Sequence, residues 1–291
     1  MFDSAVLAQA LVTGLLVGGI YALISAGFTL VFGVLGILNF AHGELLMLAM
    51  YGTFFLFTIF GIHPYLAILI MLPALLIFGA LLYRVCIHPV IDASHLSHVM
   101  LTVGISLFLQ NAALFAFTAD FRSVQVPFAL SKLELGPVVV GMPHLVAFAC
   151  SVAVTLVLYW LLRSTDLGRS IRAAAESREA ALLMGVDVKK VYLVTFAIGA
   201  ACLGVAGPLL TPIYYMAPDI GGLFIMTVFA VVVLGGMGNF LGALAGGLII
   251  GVAESLGNFY MPGSLGPVVA FSVLILVLLF KPEGVFGGKR T

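Results

Sequence analysis

The chain has 291 residues, of which 63% are hydrophobic and only 8% charged, with twelve basic residues against twelve acidic ones. A water-soluble domain keeps about a quarter of its residues charged, so this composition excludes a soluble globular protein and makes the bilayer the solvent, where a buried ion costs several kcal/mol. A formal net charge of zero, and no basic run longer than Lys189-Lys190 or Lys289-Arg290, exclude the phosphate-neutralising surface of a nucleic-acid binder.

Charged residues divide the sequence into apolar intervals at 4–43, 45–83, 93–119, 135–162, 191–218, 220–253 and 255–280. The first follows Asp3 and lacks the basic region and small-residue cleavage site of a secretory leader, so it is predicted to stay as a span. Near its far end Asn39, His42 and Glu44 cluster where the apolar run pauses. Ionisable groups at membrane depth face a cavity or a protein interior, which makes these residues candidates for a translocation pathway or gate. The competing reading is local: Asn39 caps a helix, Glu44 complements its dipole and His42 bonds to backbone.

A span needs roughly 20 apolar residues, so the second interval is predicted to hold two helices separated at Gly61-Ile62-His63-Pro64. Arg84 flanks the next connection, and 93–119 supplies another span. The loop that follows carries Arg122 and Lys132 beside Asp120 and Glu134, so it has no positive excess.

Beyond the 135–162 interval comes the single long, strongly charged segment, 164–190. Its stretch 169–185 is rich in helix formers, and a short helix is predicted there. Asp166 favours the start, Arg172 and Glu176 stand four apart on one face, and Gly185 supplies a stop.

The last two intervals together are predicted to hold three helices, broken at Gly235-Gly236-Met237-Gly238-Asn239 and at Met261-Pro262-Gly263. Gly235, Gly236 and Gly238 read either as a hinge for alternating access or as packing glycines. Glu254 lies between apolar intervals, far from any basic loop, so its charge must be hydrated, neutralised or paired; pairing for structure and a role in transport both fit. The pairs Gly14 and Gly18, Gly242 and Gly246, and Gly247 and Gly251 offer flat faces for close helix packing. Cys86, Cys150 and Cys202 lack zinc or redox spacing.

The result is one all-α, polytopic membrane domain over 1–291 with eight or nine spans. Lys and Arg accumulate in cytoplasmic loops. That places Arg84, the 164–190 loop and the Lys281, Lys289, Arg290 tail in the cytoplasm, and the Asp120–Glu134 loop outside. The N-terminus is external if 4–43 crosses once.

Within the basic loop, Glu179-Ala180-Ala181 followed by Gly185 resembles the EAA loop of ABC importer permeases, which docks into a groove on the ATPase subunit. The proline that often follows that glycine is missing. Small alanines allow close approach, and the surrounding charges can pair with a partner while staying solvated when free. The segments 19–33, 38–44, 97–111, 199–207 and 232–239 resemble the Liv-type branched-chain amino acid permeases of H type, so the likeness covers nearly the whole chain.

The resemblance implies a bacterial inner-membrane importer. It would contain a second homologous permease, two cytoplasmic ATP-binding subunits that hold ATP and Mg, and an extracytoplasmic substrate-binding protein. No cofactor is expected in this chain, because it lacks the Gly-x4-Gly-Lys-Ser/Thr phosphate loop. Its six histidines are scattered, without a paired nucleophile and base, so enzyme activity is not expected. Two alternatives stay open: a permease of the same architecture for urea or short-chain amides, and an ion-coupled secondary transporter using Glu44 and Glu254, which leaves the EAA loop unexplained.

Overall fold

A computed structural model describes residues 4–126, 131–136, 138–261 and 265–287. Asp3, Pro262, Gly263, Lys289 and Arg290 lie outside the described residues. In hydrocarbon every backbone N–H and C=O must be satisfied within its own segment, and long apolar runs therefore become helices. In chain order these are α1 (Ser4–Leu35), α2 (His42–Phe60), α3 (Pro64–Leu82), α4 (His95–Phe117), α5 (Met142–Ser164), α6 (Asp166–Glu176), α7 (Arg178–Leu183), α8 (Val188–Leu210), α9 (Ile220–Gly235), α10 (Phe240–Tyr260) and α11 (Gly266–Phe280). Among the described residues seven helices are long and apolar enough to cross a membrane, and α9 and α11 are shorter apolar helices.

The predicted breaks fall where expected. Gly61 closes α2 with φ +66°, a left-handed conformation that glycine adopts freely, and Pro64 opens α3 at its first position, where no N–H is needed. One element has no counterpart in the sequence reading: β1 (Lys132–Leu135) and β2 (Val138–Gly141) form an antiparallel hairpin that precedes α5. Gln9 of α1 holds β2 at both backbone groups of Val139, its Nε2 donating to the carbonyl at 2.9 Å and its Oε1 accepting from the N–H at 2.8 Å.

The hairpin marks one end of the bundle, and α6 and α7 mark the opposite, basic end. Helices α1 and α8 are the most buried spans. The largest packing interfaces are α1 with α10 and α3 with α8. Gly18 lets α1 approach α10 closely, since a Cβ there would stand 2.8 Å from the Gly247 carbonyl oxygen. Helices α3, α4 and α11 turn apolar side chains outward: Leu69 is 76%, Phe115 94% and Phe280 85% exposed. Such a surface is compatible with lipid and not with water.

The first and last thirds of the fold mirror each other. Helix α1 runs from the hairpin end to the basic end and α8 runs the other way. Exchanging α1, α2 and α3 for α8, α9 and α10 carries the interface of α1 with α10 onto that of α8 with α3, and returns α2 with α9 to itself. The pattern is that of an inverted repeat.

Candidate functional site: a basic helix pair and a junction of two helix starts

The basic end departs from the predicted single helix over 169–185. Ser177 takes an extended conformation (φ −154°, ψ 113°), ending α6, and its Oγ accepts from the Ala180 N–H at 3.2 Å to start α7. A serine in a run of helix formers can satisfy the first free amides of a new helix, so the segment bends into two pieces. The start of α6 is capped by Thr165, whose Oγ1 accepts from Gly168 N–H at 3.0 Å, while Asp166 sits in the first turn and pairs with Arg169. Arg172 does not reach for Glu176; its guanidinium donates to the Leu162 carbonyl at the end of α5. That carbonyl is one of the groups a helix C-terminus leaves unpaired, and a cation satisfies it well.

Two features anchor α6 to the bundle. Ile171 and Ala174 are buried, and a Cβ on Gly168 would overlap the Leu161 and Leu162 carbonyls, so the first turn of α6 lies directly on the end of α5. Helix α7 stands further out. Ala181 is buried, whereas Glu179 and Ala180 are exposed. Gly185 (φ +81°) closes α7 with a double bond pattern, Gly185 N–H to the Leu182 carbonyl and Val186 N–H to the Ala181 carbonyl, each 3.0 Å. Arg178 donates to Asp92 at 2.6 Å, tying α7 to the turn before α4, and that carboxylate raises the guanidinium further above its ordinary range.

Leu182, Leu183 and Met184 extend from this tip at 53%, 89% and 84% exposure. The sequence reading passed over them as helix formers, although three adjacent apolar residues in a charged loop were the available signal. Burying one such side chain in a partner is worth about 1.5–3 kcal/mol.

The second constellation lies inside the bundle. His42, the first residue of α2, contacts the Ile24 carbonyl through Nε2 at 3.1 Å. Ile24 is eleven residues, about 16 Å, before the end of α1. Residues 36–41 therefore climb back into the bundle, and α2 begins at depth. Phe28 packs edge-on against the His42 ring, with centroids 5.5 Å apart. Glu44 is 3% exposed; its Oε1 accepts from Ser106 at 3.2 Å, and Ser106 stands midway along α4.

The start of α9 meets the start of α2 at this depth. A Cβ on Gly43 would overlap the Gly221 carbonyl, and one on Gly221 would stand 2.7 Å from Glu44 Oε2. With 16 residues, α9 is about 24 Å long, short of the roughly 30 Å hydrocarbon thickness because it starts inside the bundle. Asn39 is buried but does not cap α2: its backbone carbonyl accepts from His42 N–H at 3.1 Å, and its Oδ1 has no hydrogen-bond partner among the described residues. Two helix N-termini, a carboxylate and a buried amide thus share one place, an arrangement transporters use near cargo and gates.

The glycine candidates lie elsewhere. Gly235, Gly236 and Gly238 form the turn from α9 to α10 at the basic end, where Gly236 (φ +94°) and Gly238 (φ +84°) occupy left-handed conformations. The tail binds this turn through Val285 N–H to the Leu234 carbonyl at 2.7 Å and Asn239 Nδ2 to the Phe286 carbonyl at 2.8 Å. Glu254 lines a cavity of about 370 Å³ with Tyr21 and Tyr214, and Ile220 and Gly222 at the start of α9 line it too.

Broken helices meeting inside an apolar bundle, with a charged helix pair projecting from one end, define a multi-pass transport permease. The chain belongs to the family described as the branched-chain amino acid transport system permease component, whose model matches residues 10–278. It is 35% identical over 294 residues to the high-affinity branched-chain amino acid transport system permease protein BraD of Pseudomonas aeruginosa, covering 96% of this chain and 95% of that one. The permease protein LivH of Escherichia coli is 35% identical over the same shares of the two chains. A probable LivH of Methanocaldococcus jannaschii is 31% identical, covering 91% of this chain and 88% of its own length. No solved structure matches.

Proposed function

We propose that this chain is the membrane-spanning subunit of an ATP-driven importer for branched-chain or related hydrophobic amino acids. In this reading a second homologous permease completes the pathway, two cytoplasmic subunits hydrolyse ATP with Mg, and an extracytoplasmic binding protein delivers the cargo. The basic end, with α6, α7 and the tail, faces the cytoplasm of a bacterial inner membrane, and the hairpin faces outward.

The observation that carries the reading is the form of the basic end: α7 offers Glu179, Ala180 and three apolar side chains to a partner, while α6 is clamped to α5. Closure of an ATPase pair would pull on α7, pass through Ser177 to Arg172, Glu176 and Gly168, and move α5 against α1 and α8. Gly185 shapes the tip and Ala181 seats it. The junction of Gly43, Glu44 and Gly221 is the gate that such motion opens.

The test is affinity purification of tagged protein from its native membrane, with Gly185→Arg in parallel. A cation and a left-handed strain of about 1–2 kcal/mol at this position are expected to remove the ATPase from the preparation while the second permease stays. Purification of the chain alone, with uptake in liposomes driven by an ion gradient, would instead show a secondary transporter.

A further inference from the structure

Between the end of α1, the end of α5, the coupling helix α6 and the start of α10 lies a cavity of about 570 Å³, within the 300–1,000 Å³ usual for small-molecule sites. Arg163 and Arg172 stand on its wall, which also carries aliphatic surface from Leu30, Val34 and Ile171. On its lining lies Thr29, which is 1% exposed and whose Oγ1 has no hydrogen-bond partner among the described residues. An unpaired buried hydroxyl is costly unless something fills its place. The Arg163 guanidinium spends one donor on the Tyr159 hydroxyl at 2.7 Å, and that of Arg172 bonds the Leu162 carbonyl. Each guanidinium carries five donors, so both can also hold an anion.

A second cavity of about 680 Å³ adjoins the first, sharing Gly33, Arg172 and Gly238, and adds the carboxylates of Glu176 and Glu283. Two guanidinium groups and an aliphatic wall in one cavity, with carboxylates in the adjoining one, offer partners for the carboxylate, the side chain and the ammonium of an aliphatic α-amino acid. We infer that the basic end holds a regulatory site for the free amino acid on that side of the membrane, the same class of molecule the importer delivers. Arg172 belongs both to this site and to the clamp between α6 and α5, so a bound amino acid would stiffen the joint through which α7 acts and slow further import. The inference rests on the proposed function.

The test uses the complete importer, with ATPase and binding protein, in phosphatidylcholine vesicles holding ATP inside. The initial rate of radiolabelled leucine uptake is compared with unlabelled leucine or glycine in the lumen, each variant being referred to its own glycine rate. Lumenal leucine is expected to slow the wild type several-fold and to lose that effect in Thr29→Val and in Arg163→Gln. Arg163 is exposed, so its variant keeps the test open if Thr29→Val fails to assemble. Equal rates with leucine and glycine in the wild type, or equal slowing in both variants, overturn the site. A rate that follows added phosphatidylglycerol, is lost in Arg163→Gln and ignores lumenal leucine assigns the cavity to a lipid headgroup and overturns it as well. Absence of any ATP-driven leucine uptake overturns the proposed function instead.

Discussion

Gly43 and Gly221 are 178 positions apart and each excludes a side chain because the other's backbone is there. Overpacking a fitted interior costs about 1–3 kcal/mol. Gly43→Ala is therefore expected to lower the thermal midpoint of the purified protein in detergent. Gly104, on α4, has nothing within 4 Å of where a Cβ would stand. Gly104→Ala is expected to leave the midpoint unchanged or raise it, since alanine is the better helix former by about 1 kcal/mol. Equal destabilisation by both changes would remove the case for a tight junction. Glu44 was visible in the sequence as a charge at depth. Its neighbours Ser106 and Gly221 were not, because nothing local announces that two distant helices start beside one another.

At the scale of elements, the break at Ser177 turns one predicted helix into a hinged pair, and the two halves do different work. Helix α6 is fixed by buried Ile171 and Ala174, whereas α7 leans on Ala181, the cap of Ser177 and the Asp92 contact of Arg178. Loss of an N-cap costs about 1 kcal/mol, and an exposed ion pair contributes at most about that. Ser177→Ala should therefore weaken ATPase retention about fivefold in pull-down assays while Arg178→Ala changes it little. Leu183→Asp removes apolar contact at an 89% exposed site and adds a charge, and is expected to abolish retention without affecting membrane insertion. Retention unchanged in Leu183→Asp would move the docking surface elsewhere.

For the molecule as a whole, the apolar intervals made the order of the apolar helices legible, because charge cannot sit against lipid and so marks their boundaries; they did not show that α9 and α11 stop short of a full span. Strand β2 was hidden inside the 135–162 interval, where Val138-Val139-Val140 reads equally well as helix or strand, and β1 in the charged loop before it. The inverted repeat was hidden too, since it is read from which helices pack on which. The sidedness can be tested in a variant lacking Cys86, Cys150 and Cys202. A membrane-impermeant thiol reagent should label Leu133→Cys in intact cells and Arg178→Cys only in inverted vesicles. The opposite pattern would turn the whole arrangement over.

The exposed Leu182, Leu183 and Met184 also bear on the life of a subunit before assembly. If an ATPase docks there as proposed, the uncovered tip would be a greasy flag held in water, the kind of feature that chaperones and proteolytic surveillance read as unfinished work. The three side chains that would fasten the engine to the gate would thus also mark unassembled copies for removal, and the cell's stock of this chain would follow the supply of its partner.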